Sequence, residues 1–418
     1  MPNELMTVPR FLLYAKACYD VFTTKKFVDS VLLPLVAHSV IKTGDIQVLA
    51  QTSFSNMRLD PKPGPFKTAY QRFDIKKLGN IAHLAKPEFE RDSSNDMATQ
   101  TELETYLLWA SGRVQLGPCD TLNLWGHGSA SSVLHRFPID LIGWRNALGS
   151  NMRRKAFLAL VKVGLLEGNL LQPKELATAL RNGGHQPGLI ALTACRVSSL
   201  EFAYDLRDSG TYLIASTTKV EEDEWPYSEW FTAAEKMRQD CGLEFAGHLL
   251  AAKNTKYPNA KRALIRLNKI AVCQKAIDEF IGWMISHGDK SDWEVVLDAR
   301  KPLKEELSAP GDTIAVDLGA FFSGIVTDSR LKTAAKSIVT TLVSNLNAAV
   351  AAKTWDSNQS KDVGISLIFP QTHSDFLGIN AVVNERYNIK NLPNAGSTYI
   401  QQSRWLEFLH AFWASRYP

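Results

Sequence analysis

Five short, uninterrupted apolar runs constrain this chain more than any other feature: residues 11–15, 46–50, 121–125, 189–194 and 212–215. A strand exposed on one face alternates apolar and polar side chains, whereas a strand covered on both faces reads as a continuous apolar run. Between the runs lie stretches with helical periodicity, at residues 28–40, 101–110, 174–181 and 199–207. Strands alternating with helices specify βαβ units with right-handed crossovers, and therefore a mostly parallel sheet covered on both faces.

After Pro226 the pattern turns helical through 228–239, 243–253 and 275–285, and the runs at 313–316 and 365–369 read as further strands. The last helix carries Trp405, Phe408, Leu409 and Phe412 at three- to four-residue spacing, an apolar face expected to pack on the body. Residues 55–66, with Pro61, Pro63, Gly64 and Pro65, read as a loop, and residues 90–97 as irregular. The stretch from Ser129 to His185 is longer than a simple crossover between neighbouring strands needs.

Charge and cysteine usage exclude several classes. Lys and Arg number 47 against 43 Asp and Glu in 418 residues, a net +4 with no concentrated basic stripe, so nucleic acid and membrane surfaces are not expected partners. No 18-residue uncharged apolar run is present, so no membrane span is expected. The five cysteines (18, 119, 195, 241 and 273) are odd in number, widely spaced and form no Cys-x-x-Cys pair, which predicts neither a disulfide framework nor a metal site. A reducing compartment is the expectation. The apolar run after Arg10 is broken by Lys16 and Asp20, too short for an export signal, so the chain is expected to be cytoplasmic. Neither a P-loop, a Gly-x-Gly-x-x-Gly turn nor a Gly-x-Ser-x-Gly elbow is found, which disfavours nucleotide binding and serine-hydrolase chemistry.

Two segments share a context that can carry chemistry. His127-Gly128 follows the run at 121–125, and Ala194-Cys195 ends the run at 189–194. In open α/β sheets functional groups gather at the carboxyl ends of strands. Two adjacent parallel strands would therefore bring an imidazole and a thiol to one rim. A thiolate can attack a carbonyl, an imidazole can protonate the leaving amine, and the N–H groups of Gly128 and Cys195 can hold the oxyanion. Spacing alone leaves a buried cysteine and a histidine turn as the competing reading. Ala17-Cys18 and His287-Gly288 repeat the same pairings; Cys18 reads as structural and Gly288 as a helix C-cap.

The wider sequence decides between these readings. Ala194-Cys195 followed by Glu201-Phe-Ala203-Tyr204-Asp-Leu206, the run ending at Ala215-Ser216, and the turn Trp225-Pro226-Tyr227 resemble clostripain-family cysteine peptidases. Leu124-Trp125-Gly126-His127-Gly128-Ser129 looks like that family's catalytic-histidine segment. Pro173 to Leu180 looks like the helix before its nucleophile strand, and Gly364 to Pro370 like a strand of its C-terminal part. The resemblance implies a caspase-like α/β/α sandwich with a mostly parallel central sheet and a helical and strand C-terminal extension. It divides the chain into a catalytic core over 1–255 and a region over 256–418 packing on and extending it.

By motif position Cys195 would be the nucleophile and His127 the general acid of a cysteine endopeptidase acting on protein or peptide substrates. The family usually cleaves after Arg or Lys using acidic residues at the base of its pocket. Many relatives carry Asp two residues before the nucleophile, where this chain has Thr193. Asp223, within the acidic run 221–224 before Trp225, is the expected substitute carboxylate; Thr193, Asp223 and Trp225 are thus the expected substrate contacts. Self-processing is expected near Arg153, Arg154 and Lys155. Calcium, which some relatives need, would find only the weak carboxylate cluster 221–224. A non-catalytic caspase-like interaction module is the alternative reading, which Thr193 favours and the retained His127 and Cys195 oppose.

Overall fold

A computed structural model describes residues 9–16, 26–38, 42, 46–55, 68–75, 89–92, 97–112, 115–129, 132–134, 171–221, 223–234, 241–252, 256–257, 260–303, 315–355, 361–373 and 397–416. Of the loop expected over 55–66, Ser55 is the last residue of a strand and 56–66 lie outside the described residues, as do Cys18, Arg153, Arg154 and Lys155. No helix among the described residues is long and apolar enough to cross a membrane.

Five of the expected runs are the central strands: β1 (Arg10–Lys16), β2 (Gln47–Ser55), β5 (Thr121–Trp125), β8 (Leu189–Thr193) and β9 (Tyr212–Ser216). They pair in parallel in the order β9-β8-β5-β1-β2. Antiparallel strands extend both edges: β3 (Thr68–Asp74) and β4 (Phe89–Asp92) beyond β2, and β10 (Arg262–Arg266) and β12 (Val350–Lys353) beyond β9. Two short hairpin strands, β6 (Gly128–Ser129) and β7 (Ser132–Val133), follow β5, and β11 (Ala315–Asp317) pairs with β13 (Ser366–Ile368) in a separate small sheet. Residues 90–92, expected to be irregular, belong to β4, whose partner strand supplies the order that its polar sequence Phe-Glu-Arg-Asp does not announce.

Alternate residues along each central strand feed two cores. Leu12, Tyr14, Leu122, Leu124, Ile190 and Leu192 face one side. There they meet α2 (Gln100–Ser111), α3 (Pro173–Asn182) and α4 (Leu200–Asp205). The same core continues into the C-terminal helices α7 (Ile270–His287), α8 (Lys290–Arg300), α9 (Leu318–Thr327), α10 (Thr333–Ala349) and α12 (Trp405–Arg416). Phe11, Leu13, Val48, Ala191 and Ile214 face the other side, against α1 (Leu33–Ala37), α5 (Tyr227–Ala234) and α6 (Cys241–Ala251). Completing the helices, α11 (Thr398–Gln402) packs near α4 through Tyr204 and Tyr399. The molecule is therefore a three-layer α/β/α sandwich. The expected apolar face of α12 is buried, with Trp405, Phe408 and Phe412 around Phe369.

Caps follow the sequence. Thr99 accepts from the Glu102 N–H at α2, and Ser199 from the Phe202 N–H at α4; each satisfies a first-turn donor that has no intrahelical partner. Cys119 is disulfide-bonded, contrary to the expectation of a chain without disulfides.

Candidate active site

The parallel pairing of β5 with β8 sets Trp125 beside Thr193, so the residues that follow both strands emerge at one rim. There the chain approaches itself closely. A Cβ on Gly128 would lie 2.7 Å from Val197 Cγ1, 2.8 Å from Ala194 Cβ and 2.9 Å from the Cys195 carbonyl oxygen. Only glycine fits, and its backbone lies directly against the segment carrying the thiol. His127 sits half-buried one residue earlier, its carbonyl accepting the Leu134 N–H at 2.8 Å. Structure thus brings together the two segments that the sequence singled out.

Backbone strain concentrates at the same place. Among the described residues two non-glycine positions have left-handed backbone: Arg196 at φ +56°, directly after the thiol, and Leu134 at φ +60°, bonded to His127. Each conformation costs on the order of 1 kcal/mol and persists only where surrounding contacts enforce it, which occurs disproportionately at functional sites. The enforcing contacts are visible. Arg196 N–H donates to the Thr218 carbonyl at 3.0 Å, and Ser198 N–H to that of Ser216 at 3.0 Å. On the far side the Ser366 N–H donates to the Ser198 carbonyl at 2.9 Å, and the Ser198 hydroxyl to the Gly364 carbonyl at 2.5 Å. The segment after the nucleophile is thereby held between the extension of β9 and the C-terminal Gly-x-Ser strand.

Cys195 is half-buried and its Sγ lies 3.3 Å from both the N–H and the carbonyl oxygen of Val220. Burial pushes its thiol above the ordinary cysteine value, against the opposing pull of the Val220 N–H and the charge of Arg196. Burial thus favours the protonated thiol at rest, and Val220 sets the wall that follows β9, residues 216–221 and 223–227, against the sulfur. Val220 carried no signal in the sequence, since its contact is made by backbone atoms.

Thr193 is 3% exposed and belongs to a closed polar network. Its hydroxyl lies 2.9 Å from Asn123 Oδ1 and 3.0 Å from the Leu124 carbonyl, and accepts from the Tyr227 hydroxyl at 3.3 Å, while Asn123 Nδ2 donates to that hydroxyl at 2.8 Å. Burial raises the Tyr227 phenol, keeping it a neutral donor. Asp223 is engaged by Lys256 Nζ and by the Tyr257 hydroxyl, each at 2.5 Å; although burial opposes it, these bonds hold the carboxyl below the usual range. Glu224 is buried, accepts the Glu221 N–H at 3.1 Å and lies 3.6 Å from Arg262. Burial raises its carboxyl, the Glu221 N–H and Arg262 partly offsetting this. Glu221 pairs with Lys219 at 3.0 Å. Trp225 is 2% exposed, with the Arg262 guanidinium 4.9 Å from its ring centroid. Asn123, Tyr227 and Arg262 were not singled out in the sequence as site residues: Asn123 reads there as part of a strand and Tyr227 of a turn, while Arg262 opens an edge strand that the sequence did not announce.

Calcium needs several carboxylate and carbonyl oxygens converging on one point. Glu221, Asp223 and Glu224 do not fit it, each being turned to a different cation, and no cluster of three or more potential metal ligands occurs among the described residues.

A sheet rim that sets a thiol on a strained turn against a His-Gly segment, within an α/β/α sandwich, defines a cysteine peptidase of caspase-like fold. The sequence profile of the clostripain family matches residues 165–412, and the chain belongs to that family. Two solved structures share the architecture. One is a secreted C11 cysteine protease, iotapain, from Bacteroides thetaiotaomicron, at 14% identity and a TM-score of 0.57, covering 98% of this chain and 99% of its own. The other is an inactive zymogen C11 protease from Parabacteroides distasonis, at 14% identity and a TM-score of 0.58, covering 91% and 96% respectively. No curated protein matches the chain.

Proposed function

We propose that the protein hydrolyses peptide bonds with Cys195 as nucleophile and His127 as general acid. The observation that supports this reading is the close approach of Gly128 to Ala194 and the Cys195 carbonyl, because the histidine segment then lies against the segment that carries the thiol, at the carboxyl ends of β5 and β8. As the sulfur passes its proton to the His127 imidazole, it attacks the substrate carbonyl carbon, forming the C–S bond while the carbonyl electron pair moves onto the oxygen. The C–N bond then breaks with a proton passing from His127 to the leaving amine. Water cleaves the resulting thioester, releasing the acid and restoring the thiol. The N–H groups of Gly128 and Cys195 are the donors proposed for the oxyanion.

Two finer expectations rest on the family pattern. Self-processing near Arg153, Arg154 and Lys155 remains part of the proposal, tested by whether active enzyme cleaves its own chain there while a Cys195→Ala chain stays intact. A preference for Arg or Lys has less support: Thr193 offers no charge, and Glu221, Asp223 and Glu224 each have a cation at hand. The test of the central reading is Cys195→Ala. Peptide hydrolysis should disappear while the melting temperature stays within a few degrees of wild type; hydrolysis at the wild-type rate would sink it.

A further inference from the structure

Lys16 closes the apolar run of β1 and is only 2% exposed. Lysine is seldom buried to this degree unless its ammonium is engaged, because desolvating the charge is costly. The parallel register pairs Ala15 with Trp125, so Lys16 reaches the same sheet rim as the residues that follow β5. There its Nζ donates to the Leu134 carbonyl at 3.2 Å.

Leu134 links this cation to the histidine. It is fully buried, its backbone is left-handed at φ +60°, and its N–H donates to the His127 carbonyl at 2.8 Å. A leucine leaves that backbone region when nothing holds it there. Here the hairpin and the cation hold it together. Gly128 pairs with Val133 across β6 and β7, and Val133 exchanges both backbone bonds with Leu171 at 3.0 Å. These fix the residue before Leu134, while the Lys16 bond orients the Leu134 carbonyl itself. On its other side Gly128 lies against Val197, Ala194 and the Cys195 carbonyl. Any retreat of the turn therefore changes how the histidine segment sits against the thiol segment.

We propose, resting on the peptidase reading above, that Lys16 is a positioning residue of this enzyme: its ammonium locks Leu134 in the left-handed turn and, through the Leu134–His127 bond, sets the backbone from which the imidazole reaches the leaving amine. Its part is geometric, and the ammonium makes and breaks no bond of the substrate. A lysine that only satisfied a buried carbonyl would contribute to stability and leave turnover per folded molecule unchanged.

The test uses the full chain with Lys16→Met, which keeps an unbranched stem without the donor, and Lys16→Arg, which keeps charge and donors. A positional-scanning library of fluorogenic peptide amides supplies a substrate cleaved by wild type and not by Cys195→Ala. On it Lys16→Met should lose about 10- to 100-fold in kcat, the scale of a displacement of about 1 Å at a reacting centre, with KM within about twofold. Lys16→Arg should recover kcat to within about fivefold of wild type, because a guanidinium can still donate to the carbonyl. Hydrogen–deuterium exchange read by mass spectrometry should show the Leu134 amide exchanging about tenfold or more faster in Lys16→Met than in wild type. Lys16→Met with wild-type kcat, or with slowed turnover and an unchanged Leu134 amide, overturns the proposal and leaves the peptidase reading intact. Should that variant not fold, the other two chains decide. A wild-type Leu134 amide exchanging as fast as an unstructured peptide overturns the proposal; a protected one, with turnover retained in Lys16→Arg, supports it. No cleavage of any library member by wild type overturns the peptidase reading and the catalytic role of Lys16 with it, while the exchange difference would still report the Lys16–Leu134 contact.

Discussion

The sulfur of Cys195 stands 3.3 Å from the backbone nitrogen of Val220 and 3.3 Å from its carbonyl oxygen. One peptide unit of the wall thus brackets the nucleophile, offering a donor to a thiolate and an acceptor to a thiol. With burial dominant, the thiol form prevails at rest.

Alkylation kinetics should report this resting state. Iodoacetamide reacts with the thiolate, whose fraction grows tenfold per pH unit below the pKa. For Cys195 in the native protein the rate should still be climbing at pH 9. Cys273, fully buried within α7 and pushed up to about 12, should stay unmodified until the protein unfolds. Mass spectrometry of timed samples distinguishes the two. A Cys195 rate already at plateau by pH 6 would contradict a protonated resting thiol.

Gly128→Ala should separate folding from chemistry. The added methyl would fall within 3 Å of Val197, Ala194 and the Cys195 carbonyl, so one of the two segments must retreat. A displacement of about 1 Å at a reacting centre can cost on the order of 100-fold in rate. We expect kcat/KM to fall by roughly that factor while far-ultraviolet circular dichroism remains native. Activity within twofold of wild type would show that the close approach has no part in catalysis.

Legibility in the sequence divided along physical lines. The five central strands were readable because burial on both faces leaves an unbroken apolar signature, and their helices because one face of each is apolar. The edge strands β3, β4, β10 and β12 were not singled out. Phe89–Asp92 has three charged residues in four, and its order comes from pairing with a distant strand. At the candidate site, the meeting of the segments at 127–128 and 194–195 was legible because both follow buried parallel strands. The wall was not. Whether Asp223 is an open carboxylate depends on Lys256 and Tyr257, and whether Glu224 is depends on Arg262; such partnerships are invisible before the chain is folded.

Gly364 should be as intolerant as Gly128, for a different reason. Its backbone is left-handed at φ +88°, and a Cβ there would meet Ala263 Cβ at 2.6 Å and the Trp355 ring at 2.7 Å. Its carbonyl also receives the Ser198 hydroxyl. Backbone strain and overpacking together should make Gly364→Ala less stable by about 2–4 kcal/mol in urea unfolding. Because Ser198 lies three residues after the nucleophile, kcat should fall too, even under conditions where the variant is fully folded. A stable variant with reduced kcat would still support the positioning role; a stable and fully active one would refute it.

Asp317 gives this same support a pH dependence. Its carboxylate caps α9 and accepts the N–H groups of Ala320 at 3.0 Å, Val363 at 3.0 Å and Gly364 at 2.7 Å. Burial first, and the charge of Asp362 second, push its carboxyl up from 3.8 to about 6 despite those bonds. Between these two values the folded chain binds a proton that the unfolded chain has already released. Stability from this group is therefore greatest below about pH 4 and is lost as pH rises through about 6. The difference of roughly two units corresponds to about 1–3 kcal/mol. Asp317→Asn carries no proton to lose, so the stability gap between wild type and variant should narrow by that amount from pH 4 to pH 7. Urea unfolding at four or five pH values across this range measures it directly. A gap that widens with pH would mean that the three N–H groups outweigh burial, and that Asp317 is ionised throughout.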